Sequence, residues 1–149
     1  MNVGTLCQRN VVTVSPTDEL SVAARLMRER HIGCLVVVEG SGGGAVPVGM
    51  LTDRDIVVAI IARETESGQL QVGDVMTRNP VSVLESESLS TALRQMRAIG
   101  VRRLPVVGRR GELTGLLSLD DVLDTLVSEL QDVVGAIQNE RRIEGEQRR

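Results

Sequence analysis

Residues 3–38 read VGTLCQRNVVTVSPTDELSVAARLMRERHIGCLVVV, and residues 72–107 read VGDVMTRNPVSVLESESLSTALRQMRAIGVRRLPVV. The two stretches lie over one another without a gap. Val3-Gly4 falls on Val72-Gly73, Arg9-Asn10 on Arg78-Asn79, and Val12 and Val14 on Val81 and Val83. Further along, Leu20-Ser21 falls on Leu89-Ser90 and Met27-Arg28 on Met96-Arg97. About two-fifths of the aligned positions are identical, so the chain is an internal duplication. The match then breaks at a turn, GSGGGAVPV in the first copy and the shorter GRRGELT in the second. Beyond it each copy reaches a shared phrase, GMLTDRDI from Gly49 and GLLSLDDV from Gly115.

Each copy predicts the same elements. Val11 to Val14 alternates as a short strand and stops at Ser15-Pro16. Asp18 to Arg30 carries Leu20, Ala23, Ala24 and Met27 at helical spacing. Leu35 to Val38 is a continuous apolar run, as in a strand covered on both faces. Val48 to Leu51 reads as another strand and Asp53 to Ala62 as another helix. The second copy repeats this over Val81–Val83, Ser88–Ile99, Leu104–Val107, Leu113–Leu117 and Leu119 onward. The expected class is α+β, with strand, helix, strand, strand, helix written twice. One copy of roughly 55–60 residues buries little apolar surface alone, so the two share a core. The expected divisions are residues 1–69, residues 70–127 and an extension over 128–149, with RETESGQLQ as the polar linker.

Composition removes several function classes. The net charge is -3, which gives no basic footprint for nucleic acid. Phe, Tyr and Trp are absent, so no ring is available to stack on a base. Lysine is absent too, which excludes a Schiff-base or P-loop lysine. His31 is the single histidine and reads as a last-turn surface residue. Cys7 and Cys34 fit no metal or redox spacing. No nucleophile stands beside a plausible base, so no enzyme is expected. No apolar run approaches the ~20 residues that cross a bilayer, and the expected location is the cytoplasm.

The shared phrase supports two readings. Thr52-x-x-Asp55 and Ser118-x-x-Asp121 are hydroxyl-x-x-acid patterns that start a helix by mutual capping. An ionised carboxylate is also acceptor-only, and it can take both hydroxyls of a ribose while the Ser or Thr donates to a phosphate. Gly49 and Gly115 would then admit a ligand close to the backbone.

The duplication, RNPVSV, RRLPVV and the twice-written G-h-h-[ST]-x-x-D resemble a pair of CBS domains, a Bateman module, over about Val3 to Leu126. TDRDIV is wording met in small stand-alone bacterial members. The resemblance implies two β-α-β-β-α repeats packed through their sheets with pseudo-two-fold symmetry, followed here by a C-terminal helical extension. It implies two clefts that bind adenosyl ligands, with AMP, ADP and ATP first and S-adenosylmethionine and NAD as further candidates. It implies a homodimer that regulates a protein partner on another chain. Carried over position by position, Asp55 and Asp121 match the ribose aspartates, and Thr52 and Ser118 the hydroxyls beside the phosphate. Arg102 and Arg103 match a phosphate-facing pair, against the uncharged Gly33 and Cys34 of the first copy. Asn10 and Asn79 match polar positions at the adenine edge, and Val14 and Val83 walls for the base. On this reading the Asp121 cleft owns the arginines and binds phosphorylated ligand more tightly. The alternative is a structural or interaction protein with vestigial clefts.

After the second copy, Leu123, Leu126, Val127, Leu130, Val133, Val134 and Ile137 continue an apolar stripe at helical spacing. It fits either a last helix docked on the module with a frayed tail, or a helix paired with its copy in a dimer.

Overall fold

The computed structural model describes residues 1–148. Two sheets form, one from each repeat. In the first, β1 (Thr13–Val14) runs parallel to β2 (Cys34–Glu39), and β2 pairs antiparallel with β3 (Val46–Thr52). In the second, β5 (Val83–Leu84) runs parallel to β6 (Arg103–Val107), and β6 pairs antiparallel with β7 (Leu113–Ser118). Both hairpins carry a register shift at the matching place, between Val37 and Val38 and between Val106 and Val107.

The long helix of each repeat, α2 (Leu20–Arg30) and α5 (Leu89–Ile99), stops in the same way. The first ends on His31 at φ +54° and the second on Gly100 at φ +71°. Both sit in the left-handed conformation that terminates helices. His31 is exposed, the surface residue expected from its position.

The periodicity of β2 explains the layering. Successive strand residues face opposite ways. Leu35 and Val37 join Leu20, Ala23 and Met27 of α2 in one core. Cys34, Val36 and Val38, on the other face, are buried as well. A continuous apolar run is therefore needed here, because both faces of this strand are covered.

Two short lead-in helices, missing from the sequence reading, interlock the repeats. α1 (Val3–Leu6) precedes the first repeat, yet Val3 is buried among Val83, Leu89, Met96, Leu104 and Leu117 of the second. α4 (Val72–Val75) precedes the second repeat, yet Val72 and Met76 sit with Leu20, Leu35 and Leu51 of the first. The chain after each lead-in adds to the foreign sheet. β4 (Thr77–Arg78) pairs with Gly49 and Met50 of β3, and Gln8 exchanges backbone hydrogen bonds with Leu116 of β7, both at 2.9 Å.

This exchange assigns a different role to the two glycines. A Cβ on Gly49 would meet Met76 and lie 3.1 Å from the Thr77 carbonyl. A Cβ on Gly115 would meet Cys7 and lie 2.9 Å from the Gln8 carbonyl. The glycines admit the crossing chain of the other repeat rather than a ligand. Arg9 fastens the crossing, with its guanidinium donating to the carbonyls of Gly4 and Thr114 and to Glu85 at 3.0 Å. That bond holds the Glu85 carboxyl below its ordinary range. Arg78 makes the matching bond to the Gly73 carbonyl at 3.0 Å.

The first repeat's second helix, α3 (Asp53–Val57), widens into a π turn over Val58–Ala62. Its counterpart, α6 (Leu119–Gln147), runs for 29 residues. Val122 is its only buried residue, and everything from Leu126 to Arg148 is exposed. The docked, frayed tail is thus overturned: the helix continues past the module with its apolar stripe uncovered. No helix among the described residues is long and apolar enough to cross a membrane.

Candidate functional site

Each hydroxyl–acid phrase lies where a strand becomes a helix. Thr52 ends β3 and caps α3. Its Oγ1 accepts from the Asp55 N–H at 3.2 Å, while Asp55 Oδ2 accepts from the Thr52 N–H at 2.9 Å. This is a complete capping box. Asp55 Oδ1 has no hydrogen-bond partner among the described residues, so the capping box leaves one carboxylate oxygen unengaged. At the other site the box is half made. Ser118 Oγ accepts from the Asp121 N–H at 3.2 Å and donates to Asp121 Oδ2 at 2.8 Å. Asp121 Oδ1 accepts from the Gln8 amide at 3.2 Å.

Two clefts related by the duplication open between the repeats, each taking its parts from both, and a further hollow of about 430 Å³ beside Asp55 lies between Arg54, Val58 and Arg63 of the first repeat and Asp74 and Val75 of the second. The larger, about 600 Å³, sets Thr52, Arg54 and Asp55 of the first repeat against Asn79, Pro80, Val81, Val101, Arg102 and Arg103 of the second. The smaller, about 330 Å³, sets Ser118, Asp120 and Asp121 of the second against Gln8, Asn10, Val11, Val12 and Ile32 of the first. Cys34 and Arg103, which the duplication places on one another, line both clefts. The pseudo-two-fold thus passes between them.

Several expectations are corrected by this placement. The sequence overlay assigns Arg102 and Arg103 to the Asp121 cleft, because they share its repeat. Because the clefts are built across repeats, Arg102 lines the Asp55 cleft instead, and Arg103 lines both. The expected advantage of the Asp121 cleft for phosphate loses its basis. Val14 and Val83 do not wall either cleft. They lie 5% and 1% exposed in the two cores, beside Val37 and Val106 in the parallel ladders. The paired strands are only two residues long, and the irregular chain just before them crosses the clefts, presenting Val12 and Val81. Gly33 is absent from both linings. Its carbonyl accepts from the Asp53 N–H at 3.0 Å, and a Cβ there would come within 2.9 Å of the Asp53 carboxylate. Its neighbour Cys34 takes the lining position. Thr52, Asp55, Ser118, Asp121, Asn10 and Asn79 all reach the clefts. Arg54, Gln8, Pro80 and Cys34 are cleft residues that the sequence reading did not include. The overlay of Cys34 on Arg103 was the signal available for the last of them.

Burial pushes the Cys34 thiol up, partly offset by the Arg103 cation, with Asp55 and Asp53 adding to the rise. The thiolate is the reacting form. Iodoacetamide at pH 8 is therefore expected to alkylate Cys34 at least about tenfold more slowly in the native chain than in urea. Peptide mass spectrometry over a time course checks this, and equal native and denatured rates would contradict the buried position. Among the described residues no group of His, Cys, Asp or Glu is arranged to hold a metal.

Comparison with known proteins follows the same lines. The CBS domain family model matches residues 3–62 and again 72–128. The uncharacterised protein MK0525 of Methanopyrus kandleri is 30% identical over 143 residues, covering 94% of this chain and 71% of its own length. The crystal structure of the CBS-pair protein CBSX2 from Arabidopsis thaliana superposes with a TM-score of 0.75 at 25% identity, over 87% of this chain and 96% of that one. The CBS domain pair of protein MJ0100, solved with 5′-methylthioadenosine and S-adenosyl-L-methionine, gives a TM-score of 0.72 over 85% of this chain and 99% of its own. At 21% identity that last likeness speaks to the fold alone. With two consecutive family matches on a duplicated, interlocked architecture shared with solved pairs, the chain belongs to the CBS domain family.

Proposed function

We propose that this CBS pair is a non-catalytic sensor of the cytoplasm that binds adenosyl ligands in its two clefts and regulates a partner on another chain. Residues 1–127 act as one module, and 128–149 as its extension. The observation that carries the reading is the pairing, in each cleft, of a helix-start carboxylate and hydroxyl with an Asn-led chain crossing from the other repeat. Asp55 Oδ1 is open to accept from ribose hydroxyls. Pro80, Val81 and Val101 offer aliphatic walls to a purine, since the chain has no aromatic residue to stack on it. Arg102 and Arg103 line the same cleft and would take phosphate oxygens, a task that planar guanidinium groups suit. AMP, ADP or ATP is therefore assigned first to the larger, Asp55 cleft. The MJ0100 pair, alike in fold, was solved with two adenosyl ligands.

Titration calorimetry and thermal shift with AMP, ATP, S-adenosylmethionine and NAD test this. A ligand at 100 times its dissociation constant stabilises the fold by about 2.7 kcal/mol. Asp55→Asn keeps the shape but removes the charge, and is expected to weaken AMP binding about tenfold, in line with loss of one charge-assisted hydrogen bond. A flat response to every adenosyl compound at millimolar concentration would favour the alternative, an interaction protein with unused clefts.

The exposed stripe on α6 is assigned to a second copy of the chain. Leu123, Leu126, Leu130, Val133 and Ile137 recur at three and four residues, the spacing of a two-helix seam. With Val127 and Val134 they are 44–63% exposed. Their apolar surface is on the order of 600 Å² per chain, near the ~800 Å² that each partner of a stable pair buries.

A further inference from the structure

The two clefts share their charges. Arg103 lines both, and its symmetry counterpart Cys34 is neutral, so one guanidinium serves where the duplication has room for two. Arg103 is half-buried and makes no ion pair among the described residues. Arg102 adds a second link. It lines the Asp55 cleft, yet its guanidinium donates to Asp120 at 3.1 Å, and Asp120 lines the Asp121 cleft.

The balance of charge differs accordingly. The Asp55 cleft has Arg54, Arg102 and Arg103 against one carboxylate, Asp55. The Asp121 cleft has Arg103 alone against two carboxylates, Asp120 and Asp121. A phosphate in the larger cleft attracts Arg103, and it competes with Asp120 for Arg102. Both movements have the same sign for the smaller cleft: they take cation from it and uncover carboxylate.

We infer that the clefts are coupled and select differently. A phosphorylated adenosyl ligand in the Asp55 cleft disfavours a second one in the Asp121 cleft, which takes an uncharged adenosine nucleoside instead. The inference rests on the proposed ligand class and adds to it a division of labour. The pair then reports the ratio of a nucleotide to a nucleoside rather than the level of either. By linkage, the coupling is reciprocal.

Calorimetry on the full chain tests it, with AMP as the anionic probe and 5′-methylthioadenosine as the uncharged one. AMP is expected to fill one site per chain, with any second site at least about tenfold weaker, inside the usual range of coupling. The AMP-saturated protein should still bind one equivalent of 5′-methylthioadenosine. Asp120→Asn removes one carboxylate and the tether on Arg102, and is expected to strengthen the second AMP site about tenfold at low salt and less at high salt. Two equal AMP sites, or a second site unmoved by Asp120→Asn, would overturn the coupling and leave the sensor reading in place. Displacement of 5′-methylthioadenosine by AMP from a single site would overturn the division between clefts. Absence of binding by both compounds would overturn the sensor reading and this inference together.

Discussion

Val3→Asp is expected to destabilise the second repeat, although Val3 is written at the head of the first. Val3 is fully buried in the cluster formed by Val83, Leu89, Met96, Leu104 and Leu117. A carboxylate there has no cation within that apolar cluster. An ionised carboxylate is too costly to bury unpaired, so the group takes up a proton, and the neutral carboxyl still costs on the order of 4 kcal/mol. Against a total stability of about 5–15 kcal/mol, that is a large fraction. Urea denaturation should show the loss as a lowered midpoint. The milder pair Val3→Ala and Val72→Ala locates it. Each removes buried methyl groups at a cost of about 1–3 kcal/mol. Native-state hydrogen exchange should then be crossed. Val3→Ala should speed exchange first in Arg103–Val107 and Leu113–Ser118, and Val72→Ala first in Cys34–Glu39 and Val46–Thr52. Losses confined to the repeat that contains the substitution in sequence would refute the interlocked arrangement.

The same exchange explains what was legible in the sequence and what was not. Periodicity reports a residue's own element, and there it served well. The run Leu35–Val38 predicted a strand covered on both faces, and Cys34–Glu39 is one. The spacing of Leu20, Ala23, Ala24 and Met27 predicts the inward face of α2, and Leu20, Ala23 and Met27 are its buried residues while Ala24 stands half-buried at the edge. The family and its duplicated α+β architecture were legible for the same reason, since they rest on two full copies in register. Periodicity does not say which sheet an element joins. Four residues of lead-in helix are too short to show a helical period, so α1 and α4 went unread. With them went the crossing of the chain between repeats. The sequence overlay credits Arg102 and Arg103 to the acid of their own repeat, whereas the fold sets Arg102 in the Asp55 cleft and Arg103 between the two clefts. The glycines went astray similarly. A glycine required by close approach looks the same in sequence whether backbone or ligand approaches, and only the position of Gln8 and Thr77 decides it. Val14 and Val83 fall in the core because each ladder begins as the chain leaves the cleft, just past Val12 and Val81.

Leu130→Asp is expected to raise the dissociation constant of the dimer at least about 100-fold, equivalent to about 2.7 kcal/mol. Leu130 stands at the middle of the stripe and is 63% exposed in the single chain. In a two-helix seam of this spacing it faces the other copy, so one substitution places two carboxylates in the contact. Each must be desolvated, and neither has a cation on the stripe to meet. The segment from Leu119 to Asn139 holds five acidic residues and no basic one. Sedimentation equilibrium on the full chain measures the shift, and circular dichroism checks that the helix persists. Asp132→Asn, half a helical turn from the stripe, is the control and should leave assembly unchanged. A monomeric parent chain, or a variant that assembles as well as its parent, would remove the second copy as the occupant of this face. The duplication gives the argument one more constraint. Val57 and Ile61 on the first repeat occupy the positions of Leu123 and Val127, and they too are exposed, at 51% and 72%. The first repeat ends its helix at Ala62, while the second continues for a further 20 residues past Val127. If pairing used only the shared positions, Leu130→Asp would have little effect. A loss of assembly on substituting Leu130 therefore assigns the contact to the extension rather than to the duplicated module.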